Sequence, residues 1–354
     1  MKNRWLGRIW AVILTVFVAV GAQAQRVEIL NVSYDPTREL YREVNQAFTQ
    51  HWQEKTGQRV TVRQSHGGSG SQARAVIDGL EADVVTLALA ADIDAIAEHA
   101  GLLPEHWQER LPNNSAPYTS TLALLVRKGN PKNITSWEDL IRSDVQVITP
   151  NPKTSGVARW NYLAVWGYVL RRELGENYVH ILANPAEFAD EIAAAQNAAR
   201  EFVTKVYRNV PVLDRAARGA TNTFVQRRIG DVLINWENEI LLSQNELDAA
   251  GVEVVIPEIS ILAETVVALV DRNADRKRTR EVAQAYLEFL YSDIGQDLAG
   301  RYYYRPSNPE FLAKYLHQFP EIELFTIGDV FGGWGEANRV HFNDGGEFDR
   351  IYQP

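Results

Sequence analysis

Four short runs in this chain combine residue types that bind an anion without spending a charged side chain. They are Tyr34-Asp35-Pro36, Gly67-Gly68-Ser69-Gly70, Lys153-Thr154-Ser155-Gly156-Val157 and Ala216-Ala217-Arg218-Gly219. Each reads as a turn between a strand and a helix, built of small or capping residues. The start of a helix leaves backbone N–H groups without intrahelical acceptors and carries the positive end of the helix dipole. Several helix starts aimed at one point would hold an anion with neutral donors. Any one such turn serves equally well as an ordinary loop, so the inference rests on the four together.

Other chemistry is poorly represented. His66-Gly67-Gly68 resembles the oxyanion-hole segment of esterases, but the run around Ser69 ends in Ser71 and completes no G-x-S-x-G elbow. A secreted α/β hydrolase using Ser69 or Ser155 would need a base, and His66 is the only obvious local candidate. No phosphate loop and no G-x-G-x-x-G are present. The seven histidines show neither H-x-x-x-H nor H-E-x-x-H spacing, so no metal and no cofactor is expected.

The elements that position the four turns alternate. Val27–Val32 reads as a strand, then Asp35 as N-cap and Pro36 at the first helical position, with Leu40, Val44 and Phe48 as the apolar stripe. Strands follow at 59–64 and 83–89, with a helix to Leu80 between them and Asp92 capping the next helix. This β-α-β-α order predicts a parallel sheet with helices on its faces. Long apolar strands at 119–127 and 261–270 divide the chain into three blocks. If both are crossovers, the outer blocks form one lobe and the middle block a second, with a cleft between them. One large α/β sheet is the alternative. The expected division is 25–117 with 266–354 as lobe I, and 118–265 as lobe II.

Composition narrows the classes further. The 354 residues carry a net charge of −9, no cysteine, and Met1 as the single methionine. Disulfides, cysteine nucleophiles, iron–sulfur clusters and zinc–thiolate sites are thereby excluded. The acidic balance argues against a nucleic-acid partner. Lys2, Arg4 and Arg8, the apolar run Ile9 to Val20 and Ala22-Gln23-Ala24 read as a signal peptide over 1–24, cleaved after Ala24. A short N-terminal anchor is the alternative. Cleavage removes three basic residues and no acidic one, taking the net charge from −9 to −12 and leaving no sulfur atom.

The run Asn151-Pro152-Lys153-Thr154-Ser155-Gly156-Val157-Ala158-Arg159 resembles the N-P-K-[ST]-S-G-x-A-R signature of periplasmic sulfate-binding proteins of ABC importers. The resemblance extends through 31–41, 64–70, 217–224, 231–239, Phe331-Gly332-Gly333-Trp334 and Gly345-Gly346. It implies a two-lobed α/β fold of the type II periplasmic binding protein class, each lobe a mainly parallel sheet flanked by helices, joined by two crossover strands. It also implies a monomer that is not an enzyme and not membrane-embedded, works in the periplasm, and serves the permease subunits of an importer. The implied ligand is sulfate, or thiosulfate in some family members. Carried over by position, its donors are the backbone N–H groups of Asp35, Ser69, Gly156, Val157 and Ala217, the hydroxyl of Ser155 and the indole N–H of Trp236. Position 157 is often glycine in this family and is valine here.

Elementary chemistry fits that donor set. Sulfate at neutral pH is a dianion with no proton to give, so donors alone satisfy it. Phosphate retains an O–H that such a site leaves unpaired, an asymmetry worth roughly 10⁴ in affinity. Asp35 is then expected to offer its N–H to the ligand and turn its carboxylate back to cap its own helix. A sulfur-free mature chain also suits a protein made when sulfur is scarce.

Overall fold

The computed structural model describes residues 26–245 and 251–352. The expected signal peptide, 1–24, lies outside the described residues.

Among the described residues thirteen strands are formed: β1 (Val27–Tyr34), β2 (Val60–Gly67), β3 (Val84–Leu87), β4 (Tyr118–Ser120), β5 (Leu122–Arg127), β6 (Val147–Pro150), β7 (Leu213–Asp214), β8 (Val232–Trp236), β9 (Val252–Val255), β10 (Ile259–Ile261), β11 (Ala263–Leu269), β12 (Arg305–Pro306) and β13 (Glu323–Phe325). They build a six-stranded sheet in the order β12-β4-β11-β3-β1-β2 and a five-stranded sheet in the order β7-β6-β8-β5-β9, with β10 and β13 paired separately. In the first sheet β1 runs parallel to β2 and β3, while β11 and β4 are antiparallel additions. In the second, β6 runs parallel to β7 and β8, and β5 is antiparallel to β8 and β9. The helices between parallel strands supply the long crossovers that parallel pairing requires.

Helix Arg38–Thr56 buries Leu40, Val44, Phe48 and Trp52, one face at four-residue spacing. It stops at Gly57, whose φ of +73° is one that a residue without Cβ adopts freely. Helix Gly156–Leu174 buries residues on every side. It is walled by the second sheet, by helix Ala189–Arg208 and by aromatic residues of the C-terminal segment, where Tyr162 meets Phe342 and Trp160 meets Trp334.

Both long strands expected from the sequence are interrupted. The run 119–127 breaks at Thr121, with β4 in the first sheet and β5 in the second. The run 261–270 breaks at Leu262. Thr121 Oγ1 donates to the Ile261 carbonyl at 2.9 Å, tying the two breaks together. Continuous apolar composition hides such breaks, because each side stays buried while the backbone changes sheets. Within the C-terminal segment, β12 pairs with β4 in the first sheet, while the last residues pack on helices of the second. Tyr162 and Tyr207, on helices of the second sheet, hold Phe348 between them. The attraction is aromatic burial, which carries no helix or strand period to read.

Candidate functional site

The four turns converge. Each leaves the carboxyl end of a parallel strand (β1, β2, β6 or β7) and enters a helical turn. The Arg218 N–H donates to Asp35 Oδ2 at 2.9 Å, joining the first turn to the fourth. Thr154 Oγ1 donates to the Arg215 carbonyl at 2.8 Å, joining the third to the fourth. A Cβ on Gly68 would stand 2.5 Å from the Thr154 oxygen and 3.1 Å from the Arg215 oxygen. A Cβ on Gly156 would stand 3.0 Å from the side chains of Ser69, Ala88 and Leu89. Trp236, at the end of β8, packs its ring 5.2 Å from that of Tyr34. All seven residues anticipated from the sequence, Asp35, Ser69, Ser155, Gly156, Val157, Ala217 and Trp236, are buried in this region.

Their donors are of the expected kind. Asp35, Ser69, Gly156 and Ala217 are the first residues of their helical turns, and Val157 is a second residue. Their N–H groups therefore have no intrahelical acceptor. Ser155 is the N-cap of helix Gly156–Leu174, and its Oγ accepts from Ala158 N at 3.4 Å, which leaves the hydroxyl proton to be donated elsewhere. Trp236 is 0% exposed, and its indole Nε1 has no hydrogen-bond partner among the described residues. An unpaired buried donor costs about 1–3 kcal/mol.

The carboxylate of Asp35 takes a different place from the one expected. The N-cap of its turn is Tyr34, with no side-chain capping bond. Thr37 Oγ1 donates to the Tyr34 carbonyl at 2.6 Å and tightens the turn. Asp35 instead caps helix Ala217–Val225 through the Arg218 N–H. Asp92 likewise does not cap its own helix. It is the third residue of Ala90–Ala100, whose N-cap is Leu89, and its Oδ2 accepts the Ser69 hydroxyl at 2.5 Å. In both cases a free N–H or O–H from another segment competes successfully for the carboxylate.

Burial, reinforced by the Glu239 carboxylate, pushes the Asp35 carboxyl up to about 7, against the pull of Arg218. Between about pH 4 and 7 the folded chain holds more proton there than the unfolded chain, so stability falls as pH rises through that window. Asp35→Asn keeps the acceptor for Arg218 and should remove this part of the slope, on the order of 4 kcal/mol in total. Urea unfolding of both proteins from pH 4 to 8 checks it; parallel profiles would contradict the assignment.

Arg218 has a role that its local sequence does not announce. Its guanidinium bonds Glu239 Oε1 at 2.5 Å and Glu39 at 2.9 and 3.0 Å. Glu39 follows β1 and Glu239 follows β8, so one cation ties segments of both sheets. Burial alone would raise the Glu39 carboxyl, but Arg218 outweighs it and holds that carboxyl below its usual value. The cation is therefore neutralised by its own neighbours, and the four helix starts supply the positive potential. The one cue in the sequence was Glu237-Asn238-Glu239 straight after a buried strand, a place where acids need a partner.

A serine hydrolase arrangement does not form. The Ser69 hydroxyl is held by Asp92 and by the Ala88 N–H at 3.1 Å, not by a histidine. Burial pushes His66 down to about 4. Among the described residues, no cluster of His, Asp and Glu suits a metal ion, and no helix is long and apolar enough to cross a membrane.

Two mixed sheets flanked by helices, joined at two strand breaks and with helix starts meeting between them, define a solute-binding protein of the type II periplasmic fold. The chain belongs to the family described as bacterial extracellular solute-binding protein, whose model matches residues 29–305. It is 54% identical to the sulfate-binding protein of Escherichia coli K12, over 97% of this chain and 98% of that one. It is 46% identical to the thiosulfate-binding protein of Pseudomonas aeruginosa, over 97% and 98% respectively. Among solved structures, the sulfate-binding protein SubI of Mycobacterium tuberculosis superposes with a TM-score of 0.76 at 30% identity, over 88% of this chain and 98% of that one.

Proposed function

We propose that this protein is a periplasmic receptor that encloses sulfate between two lobes and hands it to the permease subunits of an ABC importer. The two lobes are built on the two sheets and join at the strand breaks Thr121 and Leu262. The ligand is held by the N–H groups of Asp35, Ser69, Gly156, Val157 and Ala217, the Ser155 hydroxyl and the Trp236 indole. The chain acts without catalysis, as a monomer, after removal of residues 1–24. The observation that carries this reading is the Trp236 indole N–H, buried without a partner where four helix starts meet. Seven converging donors suit a fully deprotonated oxyanion.

Thiosulfate is the second reading, favoured by the 46% identity to a thiosulfate-binding relative. Sulfate stands first because identity to a sulfate-binding relative is higher, at 54%.

Titration of the mature chain with sulfate, followed by tryptophan fluorescence, tests the proposal. A saturable response at micromolar sulfate is expected, and its absence would overturn the reading. Trp236→Phe should weaken binding by about 1–3 kcal/mol, the cost of leaving a charged acceptor one donor short. Unchanged affinity would remove Trp236 from the site. Parallel titration with thiosulfate ranks the two anions.

A further inference from the structure

One buried hydrogen bond passes from the second sheet's helices to the first sheet directly behind the site. Trp160, on helix Gly156–Leu174, is 0% exposed, and its Nε1–H donates to the Ala88 carbonyl at 2.8 Å. Ala88 follows the carboxyl end of β3. Its own N–H donates to Ser69 Oγ at 3.1 Å, and Ser69 Oγ in turn donates to Asp92. A continuous chain of hydrogen bonds thus runs from Trp160 through the peptide groups flanking Ala88 to Ser69. The Trp160 indole also packs on Trp334, whose ring centroid lies 4.6 Å away at an interplanar angle of 83°. Trp334 comes from the C-terminal segment and begins helix Trp334–Ala337 after Gly333, at φ +91°.

We propose that Trp160 is a positioning residue for ligand retention. It holds the Ser69 turn of one lobe from the other lobe, and only when the lobes are closed. This rests on the two-lobe sulfate reading and deepens it. With the lobes apart, the Trp160 N–H and the Ala88 carbonyl are both open to water. With the lobes together, each is sealed from water and satisfied only by the other. Closure and the fixing of Ser69 are thereby one event, and the Ser69 N–H reaches its ligand geometry when Trp160 docks. Trp160 need not touch the anion for this. Its contribution falls on the closed complex and therefore on release, since the encounter between anion and open cleft precedes it.

Trp160→Phe keeps an aromatic ring against Trp334 and deletes the donor. Stopped-flow measurement with sulfate should show release about tenfold faster, with association changed less than twofold. Ser69→Ala cuts the same chain at its far end, so the two effects should be less than additive in the double variant. Unchanged release, equal loss on both rates, or strict additivity would each overturn the proposal. The wild-type chain provides a test that needs no variant to fold. In ¹⁵N-labelled protein, saturating sulfate should slow hydrogen exchange of the Trp160 indole at least tenfold and shift the Trp236 indole resonance. A Trp236 shift without Trp160 protection would defeat the proposal alone. No response at Trp236 would defeat the sulfate reading beneath it.

Discussion

Gly68→Ala should lower sulfate affinity by about 100-fold while leaving the stability of the ligand-free chain within about 0.5 kcal/mol of the parent. The backbone at Gly68 is ordinary, with φ −63° and ψ 136°, so alanine is not strained there. What glycine provides is clearance. The added Cβ would stand 2.5 Å from the Thr154 carbonyl oxygen and 3.1 Å from that of Arg215, both on the opposing lobe. Both are backbone atoms at helix starts and cannot turn aside. Relief requires the lobes to stop about half an ångström or more short of their closed separation. That distance disengages one or two hydrogen bonds to a charged acceptor, at about 1.5–3 kcal/mol each. In the open chain the methyl group meets water, which is why folding is spared. Calorimetric sulfate titration and urea unfolding of the same variant separate the two effects. Full affinity would mean that the two halves do not close this tightly on ligand.

Arg218→Met should destabilise the fold by about 3–5 kcal/mol. The Glu239 side chain is 0% exposed and takes its hydrogen bonds from Arg218 and from Thr221 Oγ1, at 2.9 Å. Removing the guanidinium strands a buried carboxylate with one neutral donor, and breaking a buried pair in this way costs several kcal/mol. Glu39 is partly exposed and recovers some hydration, so Glu239 dominates the loss. Arg218→Lys restores the charge but not the forked geometry that bonds two carboxylates, and should recover part of the stability. Urea unfolding without sulfate reads both variants. A loss below about 1 kcal/mol for Arg218→Met would show that Glu239 finds other partners.

The two-sheet α/β fold and the helix starts between its sheets were legible in the sequence. Helix starts announce themselves through local chemistry, since Ser155-Gly156, Gly68-Ser69 and Ala216-Ala217 carry their turn types in adjacent residues. The strand–helix alternation of 27–100 was legible for the same reason, with periods of two and of about 3.6 alternating along the chain. Features decided by distant partners were not. The breaks at Thr121 and Leu262 interrupt runs that stay apolar throughout. The destinations of the Asp35 and Asp92 carboxylates depend on Arg218, 183 positions away, and on Ser69, 23 positions away. Asp and Asn side chains compete for any nearby donor, and local sequence favours the helix cap only when no better donor arrives through the fold. The packing of the last residues was not legible, because Trp334, Phe342 and Phe348 are recruited singly, as aromatic contacts without period.

The central claim is that neutral donors alone define the ligand, so selectivity against a protonated oxyanion tests it most directly. Calorimetric competition at pH 7 between sulfate and phosphate on the mature chain measures that selectivity. The account predicts sulfate binding at micromolar concentration or below and phosphate weaker by roughly 10⁴, because the phosphate O–H meets no acceptor in the site. Comparable affinity for the two anions would contradict it.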